Sequence, residues 1–244
     1  MTDGKPDEPT IWTDLLRDPT HGPLPALLLV LTFMTGLIDA VSILGLGRVF
    51  VANMTGNVVF IGFALAGAPG FSLSASIAAL TGFVVGASGG GLLVARFAEH
   101  RGLMLRNAGL VELVLVAVGF VLVVGSAGLP GPGVGGAVAA LSAASMGIQN
   151  ATARRLAVPD LTTTVLTMTL TGLAADLRHS STATVTRRVL AVLAMLVGAV
   201  VGALLVLSFG LPAGLGLALV LLGAVVIVAA MESRHPAGWH ATAR

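Results

Sequence analysis

The amino-acid sequence predicts an all-α integral membrane protein with six full transmembrane helices and two short or broken polar segments. Hydrophobic residues make up 56% of the 244-residue chain, and charged residues make up only 10%. Soluble domains usually carry about 25% charged residues. The mean hydropathy is +0.99. Stretches of about 20 apolar residues recur, and each is long enough to cross a hydrocarbon core about 30 Å thick.

The apolar segments define a single membrane domain over residues 24–231. Two segments, 49–68 and 161–177, are shorter or more polar than the rest, and the second contains six threonines. Residues 1–23 lack the basic start and short apolar core of a signal peptide, so we expect a polar tail there and a second short tail at 232–244. Full spans are predicted at 24–47, 72–95, 107–129, 134–153, 188–209 and 211–231.

The placement of arginines favours six spans over seven or eight. Lys and Arg in short loops tend to stay on the cytoplasmic side of a membrane. Six spans put both termini and every arginine-rich connection on that side, with only Arg48 outside. Eight spans would move at least one such connection outward, whereas seven spans, with 49–68 crossing, nearly fit. The connections contain Arg96, Arg101 and Arg106; Arg154 and Arg155; and Arg178, Arg187 and Arg188.

An internal duplication is indicated, with halves at about 24–129 and 134–231. With three spans per half, the second half is inverted relative to the first. Inverted repeats whose hydrophobic segments are interrupted at matching positions point to a transporter site near the midplane. The matches lie 111 or 112 residues apart: Gly36, Asp39 and Ala40 with Gly147, Asn150 and Ala151; Thr55 and Asn57 with Thr167 and Thr169; Gly86 and Gly90 with Gly198 and Gly202.

Polar side chains are concentrated in the two short segments, at Asn53, Thr55 and Asn57 in the first and at Thr167 and Thr169 in the second. Non-helical backbone is tolerated at membrane depth only where it is buried in protein or lines a water-filled cavity. These residues therefore predict a substrate or ion pathway. The alternative is that they form interhelical hydrogen bonds, worth about 0.6 kcal/mol each.

Asp39 is the only ionisable residue well inside segment 24–47. A carboxylate at a helix centre costs about 2.5–3.5 kcal/mol, so it normally faces the bundle interior with a partner. We expect a proton-relay acid or a cation ligand, or instead a structural pair with Arg48 or a neighbouring helix. Gln149 and Asn150, at the cytoplasmic end of their helix, are expected to line an inner vestibule or to be ordinary helix-end polar residues.

Glu112 and Asp176 are expected near the membrane interface, Glu112 because it lies six residues into segment 107–129. Rows of small residues four apart let helices approach closely, so they predict packing seams within one chain or in a homo-oligomer. These rows consist of Gly82, Gly86 and Gly90 in one helix and Gly198 and Gly202 in another.

The composition argues against several function classes. The chain has no cysteine, and its five histidines all fall in tails or connections, so no metal site and no cofactor is expected. A nucleophile–base pair is missing as well, and we expect no enzyme. The arginines are spread over loops and do not form one basic face, so no nucleic-acid partner is expected.

Two blocks of the sequence resemble the YoaK family of uncharacterised bacterial transmembrane proteins. They are TGLIDAVSILGLGRVFVANMTGNVVFIGFALAG at 35–67 and MGIQNATARRLAVPDLTTTVLTMTLTGLAADL at 146–177. The resemblance implies a multi-pass protein of the bacterial inner membrane, and it assigns no catalytic or substrate residues. The family's motif positions fall on Gly36, Asp39, Met54, Thr55, Gly56, Asn57, Gln149, Asn150 and Thr167.

A membrane transporter or channel is the function that the sequence favours. It would carry an unknown small solute past a polar site at the repeat interface, with the lipid bilayer as its surroundings. The alternative is a non-transporting membrane scaffold or partner-binding subunit.

Overall fold

The computed structural model describes residues 18, 20–164, 166–175, 182–234 and 238–240. Its elements are helical, apart from an isolated bridge between Asp18 and Gly22. A short 3-10 helix, Gly238–His240, follows the α-helices. The α-helices are α1 (Leu24–Gly45), α2 (Met54–Leu65), α3 (Leu73–Arg96), α4 (Arg101–Gly125), α5 (Pro132–Leu156), α6 (Leu166–Ala175), α7 (Thr182–Phe209) and α8 (Leu211–Glu232).

Five of the described helices, α1, α3, α4, α7 and α8, are long and apolar enough to cross a membrane. Helix α5 is as long as α4, with 25 residues, but it is less apolar. Its serines, threonine and glutamine lie in the interior, because α5 packs against α3, α4 and α1. The predicted short segments contain the short helices α2 and α6, of 12 and 10 residues.

The two short helices lie at opposite ends of the bundle. At one end, α1 finishes where α3 and α8 begin: a Cβ on Gly47 would lie 3.5 Å from Ala75, and one on Gly45 would meet Leu211 at 2.1 Å. At the other end, α5 finishes where α7 begins, because Asp160 after α5 pairs with Arg188 of α7 at 2.8 Å. Neither α2 nor α6 therefore runs from one end of the bundle to the other.

Two seams of glycine hold the long helices together. In the first seam, α3 packs against α5, and Cβ atoms on Gly82 and Gly86 would lie 2.3 and 2.0 Å from the carbonyl oxygens of Ala140 and Ala144. In the second seam, α7 packs against α1, and a Cβ on Gly198 would lie 2.0 Å from the Phe33 oxygen. Gly90 and Gly202 continue the two rows at 3.0 and 2.6 Å. Both seams lie within one chain.

The structure corrects the predicted depth of Glu112. Helix α4 begins at Arg101, six residues before the predicted span, so Glu112 is the twelfth of its 25 residues. It is also buried, at 1% exposed. Asp176 and Arg178 lie outside the described residues.

Candidate functional site: two helix breaks and a buried polar row

The first break, residues 46–53 between α1 and α2, is held by Asp39 of α1. One carboxylate oxygen of Asp39, Oδ1, accepts hydrogen bonds from the backbone N–H groups of Val51 and Ala52, both at 3.0 Å. Val51 is fully buried. A buried N–H without an acceptor is costly, so Asp39 stabilises the irregular backbone at this depth. The expected pair with Arg48 is not formed: the Arg48 guanidinium lies beside Gly70.

Asn57 holds the same break from the other side. Its side-chain amide makes two hydrogen bonds with the backbone of Phe50, donating to the carbonyl at 2.6 Å and accepting from the N–H at 2.9 Å. Four phenylalanines cover the break: the Phe60 ring stacks on Phe50 at 5.5 Å and lies 5.0 Å from Phe71, which meets Phe63. The phenylalanines therefore cover one side of the first break, and a cavity of about 280 Å³ borders it at Leu46 and Gly47.

The second break, residues 157–164 between α5 and α6, is held by Asn150 of α5. The side-chain oxygen of Asn150 accepts a hydrogen bond from the Thr164 hydroxyl, and its nitrogen donates to the Met146 carbonyl at 2.8 Å. Leu161 and Thr163 point inward and are buried, but the Thr163 hydroxyl has no hydrogen-bond partner.

Cavities surround the second break. One, of about 720 Å³, lies between α3 and α5 and is lined by Phe83, Ala87, Gly91, Asn150, Ala151, Arg154 and Thr162. Another, of about 550 Å³, lies between the break, α6 and α7, and its lining includes Thr162, Thr169 and Arg188. Thr162 thus borders both spaces. Volumes of this size can hold a small organic molecule.

A row of buried polar side chains follows one face of α5. Ser145, Gln149 and Thr152 are four and three residues apart, so they share a face, and each has a buried oxygen with no hydrogen-bond partner. The amide nitrogen of Gln149 donates to the Thr35 hydroxyl of α1 at 2.9 Å. We call Ser145, Gln149 and Thr152 the polar row of α5.

The predicted site residues divide between these features and do not meet in one pocket. Asp39 and Asn57 hold the first break, whereas Asn150 and Thr169 line cavities at the second. Asn53, Thr55 and Thr167 are exposed. No group of three potential metal-ligating residues exists within the described part of the chain.

Sequence reasoning missed Ser145 and Thr152 and placed Glu112 near the membrane interface. The spacing of Ser145, Gln149 and Thr152 was a usable signal, because polar residues at helical intervals inside a predicted span indicate a buried polar face. Glu112 was misplaced because the apolar stretch begins after the helix does.

This architecture defines a polytopic helical membrane protein whose apolar helices contact the lipid bilayer. Residues 27–228 match the family described as "Protein of unknown function (DUF1275)", and the chain belongs to this family. The chain is 34% identical over 157 residues to the UPF0700 transmembrane protein YoaK of Bacillus subtilis (strain 168). That alignment covers 62% of this chain and 66% of the relative, just under two thirds of its length. No solved structure is significantly similar.

Proposed function

We propose that this protein is a transporter or channel for a small solute in the bacterial cell membrane, and that it is not an enzyme. Six spans form two inverted halves, and the second break borders the solute site. The observation that carries the proposal is that two helix breaks occupy matching positions in the two halves, at opposite ends of the bundle. Broken helices at matching positions of inverted repeats are where transporters bind their substrates.

The internal duplication is supported by contacts that repeat from one half to the other. Asp39 bonds the backbone of Val51 and Ala52, and Asn150 bonds Thr164, which lies 112 residues after Ala52. Each break also contains a non-glycine residue in the left-handed region. Their φ values are 56° at Arg48 and 65° at Asp160, again 112 residues apart.

The glycine seams support the same duplication. Gly36 of α1 approaches the Met195 carbonyl of α7, and Gly147 of α5 approaches the Phe83 carbonyl of α3. The first helix of each half therefore packs against the third helix of the other half, α1 against α7 and α5 against α3. Such an exchange is what a two-fold relation between the halves requires.

The orientation follows from the arginines. Arg96 ends α3, Arg154 lies near the end of α5 and Arg187 lies near the start of α7. All three are on the side of the bundle where α1 begins. We assign this side to the cytoplasm, because Lys and Arg in short connections stay there. Both termini are then cytoplasmic, and α6 with the second break faces inward.

The solute site is the cavity between α3 and α5. It offers an amide at Asn150, a hydroxyl at Thr162 and a cation at Arg154, opposite the apolar walls of Phe83 and Ala87. This lining suits a small molecule with hydrogen-bonding groups, a partial or full negative charge and an apolar part.

Uptake by purified protein in liposomes tests the proposal. Liposomes with the wild-type chain and protein-free liposomes receive the same mixture of small polar metabolites, and mass spectrometry identifies the solutes that enter. We expect at least one solute to enter only with the protein. Thr162→Val, which removes a cavity hydroxyl, should slow its entry by about tenfold, the equivalent of ~1.4 kcal/mol. Thr55→Val removes an exposed hydroxyl from α2, next to the first break, and should leave uptake unchanged.

Two results would contradict the proposal. If the folded wild-type chain admits no solute above the protein-free level, the proposal is wrong. Equal effects of Thr162→Val and Thr55→Val would remove the second break from the solute path.

One feature favours the scaffold alternative. Helix α2 is too short to cross and exposes Val58, Phe63 and Leu65 next to the phenylalanine cluster. A second membrane protein could pack on this apolar face. Co-purification of one partner from native membranes that is lost with Val58→Asp, while no solute is transported, would support the alternative.

A further inference from the structure

We propose that Glu112 holds a proton near the middle of the membrane and exchanges it with the cytoplasm along the polar row of α5. The inference goes beyond the solute site and does not depend on it. It rests on the depth of Glu112, its lack of a partner, and the buried polar atoms that continue from its level toward one end of the bundle.

Glu112 lies at the centre of the buried face of α4. Eleven residues separate it from Arg101, which places it about 16 Å along a helix of 25 residues. Leu105, Ala108, Val116 and Gly119 share its face and are also buried. This face packs against α5 and α8, so Glu112 points into the protein and not into lipid.

Among the described residues of the elements packed on α4, no charged residue lies level with Glu112. A Cβ on Gly109 of α4 would lie 2.8 Å from Val226 of α8, and one on Gly119 of α4 would lie 3.5 Å from Val138 of α5. Apolar side chains therefore meet α4 both before and after Glu112. Its Oε2 has no hydrogen-bond partner. The charged or titratable residues of the elements packed on α4 all lie toward the cytoplasmic end: Arg96 of α3, Arg154 and Arg155 of α5, Glu232 of α8 and His240 of the 3-10 helix.

A carboxyl in such a place is neutral. The ionised form would lose its hydration and gain neither a counter-charge nor a hydrogen bond, whereas the protonated form loses little. Asp39 is arranged differently, because two backbone N–H groups donate to one of its oxygens. The two intramembrane acids therefore have different roles, and Glu112 is the proton carrier.

The polar row of α5 begins at the level of Glu112. Helices α4 and α5 are joined by a short connection and run in opposite directions, with Gly119 beside Val138. Seven residues before Gly119 is Glu112, and seven after Val138 is Ser145, so the two lie level. Both carry a buried oxygen without a partner.

From Ser145 the row leads toward the cytoplasmic end. Gln149 and Thr152 follow over about 10 Å of helix rise, and Thr152 is four residues from the end of α5. Unpaired buried polar atoms are costly at membrane depth. Hydroxyl and amide groups in a row can each bind water or hand a proton onward, so the row gives Glu112 a route to the cytoplasm. The step itself is the association of one proton with the Glu112 carboxylate and its release.

Chemical modification tests the proton site. A hydrophobic carbodiimide adds the O–H of a protonated carboxyl across one C=N bond and, after acyl transfer to nitrogen, leaves a stable N-acylurea with no group lost. At pH 7, where a solvated carboxyl is ionised, we expect mass spectrometry to find this adduct on Glu112 of the full chain. Asp39→Asn should keep the adduct, and Glu112→Gln should lose it.

Infrared difference spectroscopy supplies a readout that needs no reagent. The wild-type protein at pH 7 should show a carbonyl stretch of a protonated carboxyl that is missing in Glu112→Gln. If this band is absent, the proton site is refuted, whatever the carbodiimide does.

The rate at which the Glu112 carboxyl exchanges its proton for deuterium in heavy water, read from the same band, tests the route. Gln149→Leu or Thr152→Val should slow the exchange by about tenfold, equal to ~1.4 kcal/mol in the barrier. Ser88→Ala removes a hydroxyl from α3 that already bonds the Val84 carbonyl, so it serves as the control and should change nothing. Exchange as fast as wild type in both row variants would refute the route through α5.

Discussion

The two breaks occupy matching positions in the chain, yet the first borders a cavity of about 280 Å³ and the second borders cavities of about 720 and 550 Å³. The first is fixed by a carboxylate that accepts from Val51 and Ala52, by the Asn57 amide and by four phenylalanines. The second is fixed by the Asn150 amide, which accepts from a single hydroxyl, and it is surrounded by threonines and cavities.

The two anchors lie 111 residues apart in the chain but bind different groups. Asp39 accepts hydrogen bonds from two backbone N–H groups of the first break, whereas Asn150 accepts one from the Thr164 hydroxyl at the second. The Asp39 side chain gives a rigid attachment, because one of its oxygens holds two successive backbone N–H groups, those of Val51 and Ala52. An Asn gives a weaker attachment, which suits a segment that must leave space beside it.

The glycine seams carry the largest expected effect, because they join α3 to α5 and α1 to α7. Gly86→Ala and Gly198→Ala each place a methyl group 2.0 Å from a backbone oxygen. The helices must separate, so each change should lower stability by about 3 kcal/mol. Thermal unfolding in detergent measures this. Gly89 of α3 has open space around it, and Gly89→Ala should be neutral or slightly stabilising. If Gly86→Ala is as stable as Gly89→Ala, the seam is not as close as the structure places it.

Removing the anchors of the two breaks should have unequal effects. Asp39→Ala leaves two buried N–H groups without an acceptor, at about 1–3 kcal/mol each, whereas Asn150→Ala frees one hydroxyl that can turn elsewhere. We expect the first change to lower the free energy of unfolding by about 2 kcal/mol more than the second.

Asp39→Asn is the matched control, because it keeps an oxygen acceptor and removes only the charge. It should retain most of the wild-type melting temperature. Equal losses in Asp39→Ala and Asn150→Ala would contradict the contrast between a rigid and a loose break.

A smaller effect is expected from Asp18, which ties the start of α1 to α7. Burial raises the pKa of Asp18, but hydrogen bonds from the Thr20 and His21 backbone and from the His21 and Arg187 side chains outweigh it and lower the pKa overall. Its stabilisation is therefore present above the ordinary pKa of Asp and is lost as the pH falls through the lowered value.

Melting curves of the wild type and of Asp18→Asn at several pH values measure this contribution. The difference should be under about 1 kcal/mol at pH 7 and should shrink as the solution becomes acidic. A difference that grows on acidification would contradict the sign of the shift.

Much of the architecture was predictable, because hydropathy and arginine placement report directly on helices and on their ends. The short segments 49–68 and 161–177 contain α2 and α6 for this reason. The position of Glu112 along its helix was wrong because α4 begins at Arg101, six residues before its apolar stretch. The partners of Asp39 were not predictable, since backbone groups of an irregular segment leave no signal in the sequence.

The most direct test of two inverted halves uses the absence of cysteine in the chain. Single variants Thr55→Cys and Thr167→Cys place thiols at exposed, matching positions of α2 and α6. Gly56 is less suitable, because a Cβ there would lie 2.5 Å from the Phe50 ring. Val85→Cys, on an exposed side chain in the middle of α3, is the control and should resist a membrane-impermeant reagent from both sides. We expect Thr55→Cys to react only from outside the cell and Thr167→Cys only from inside. Reaction of both from the same side would contradict it.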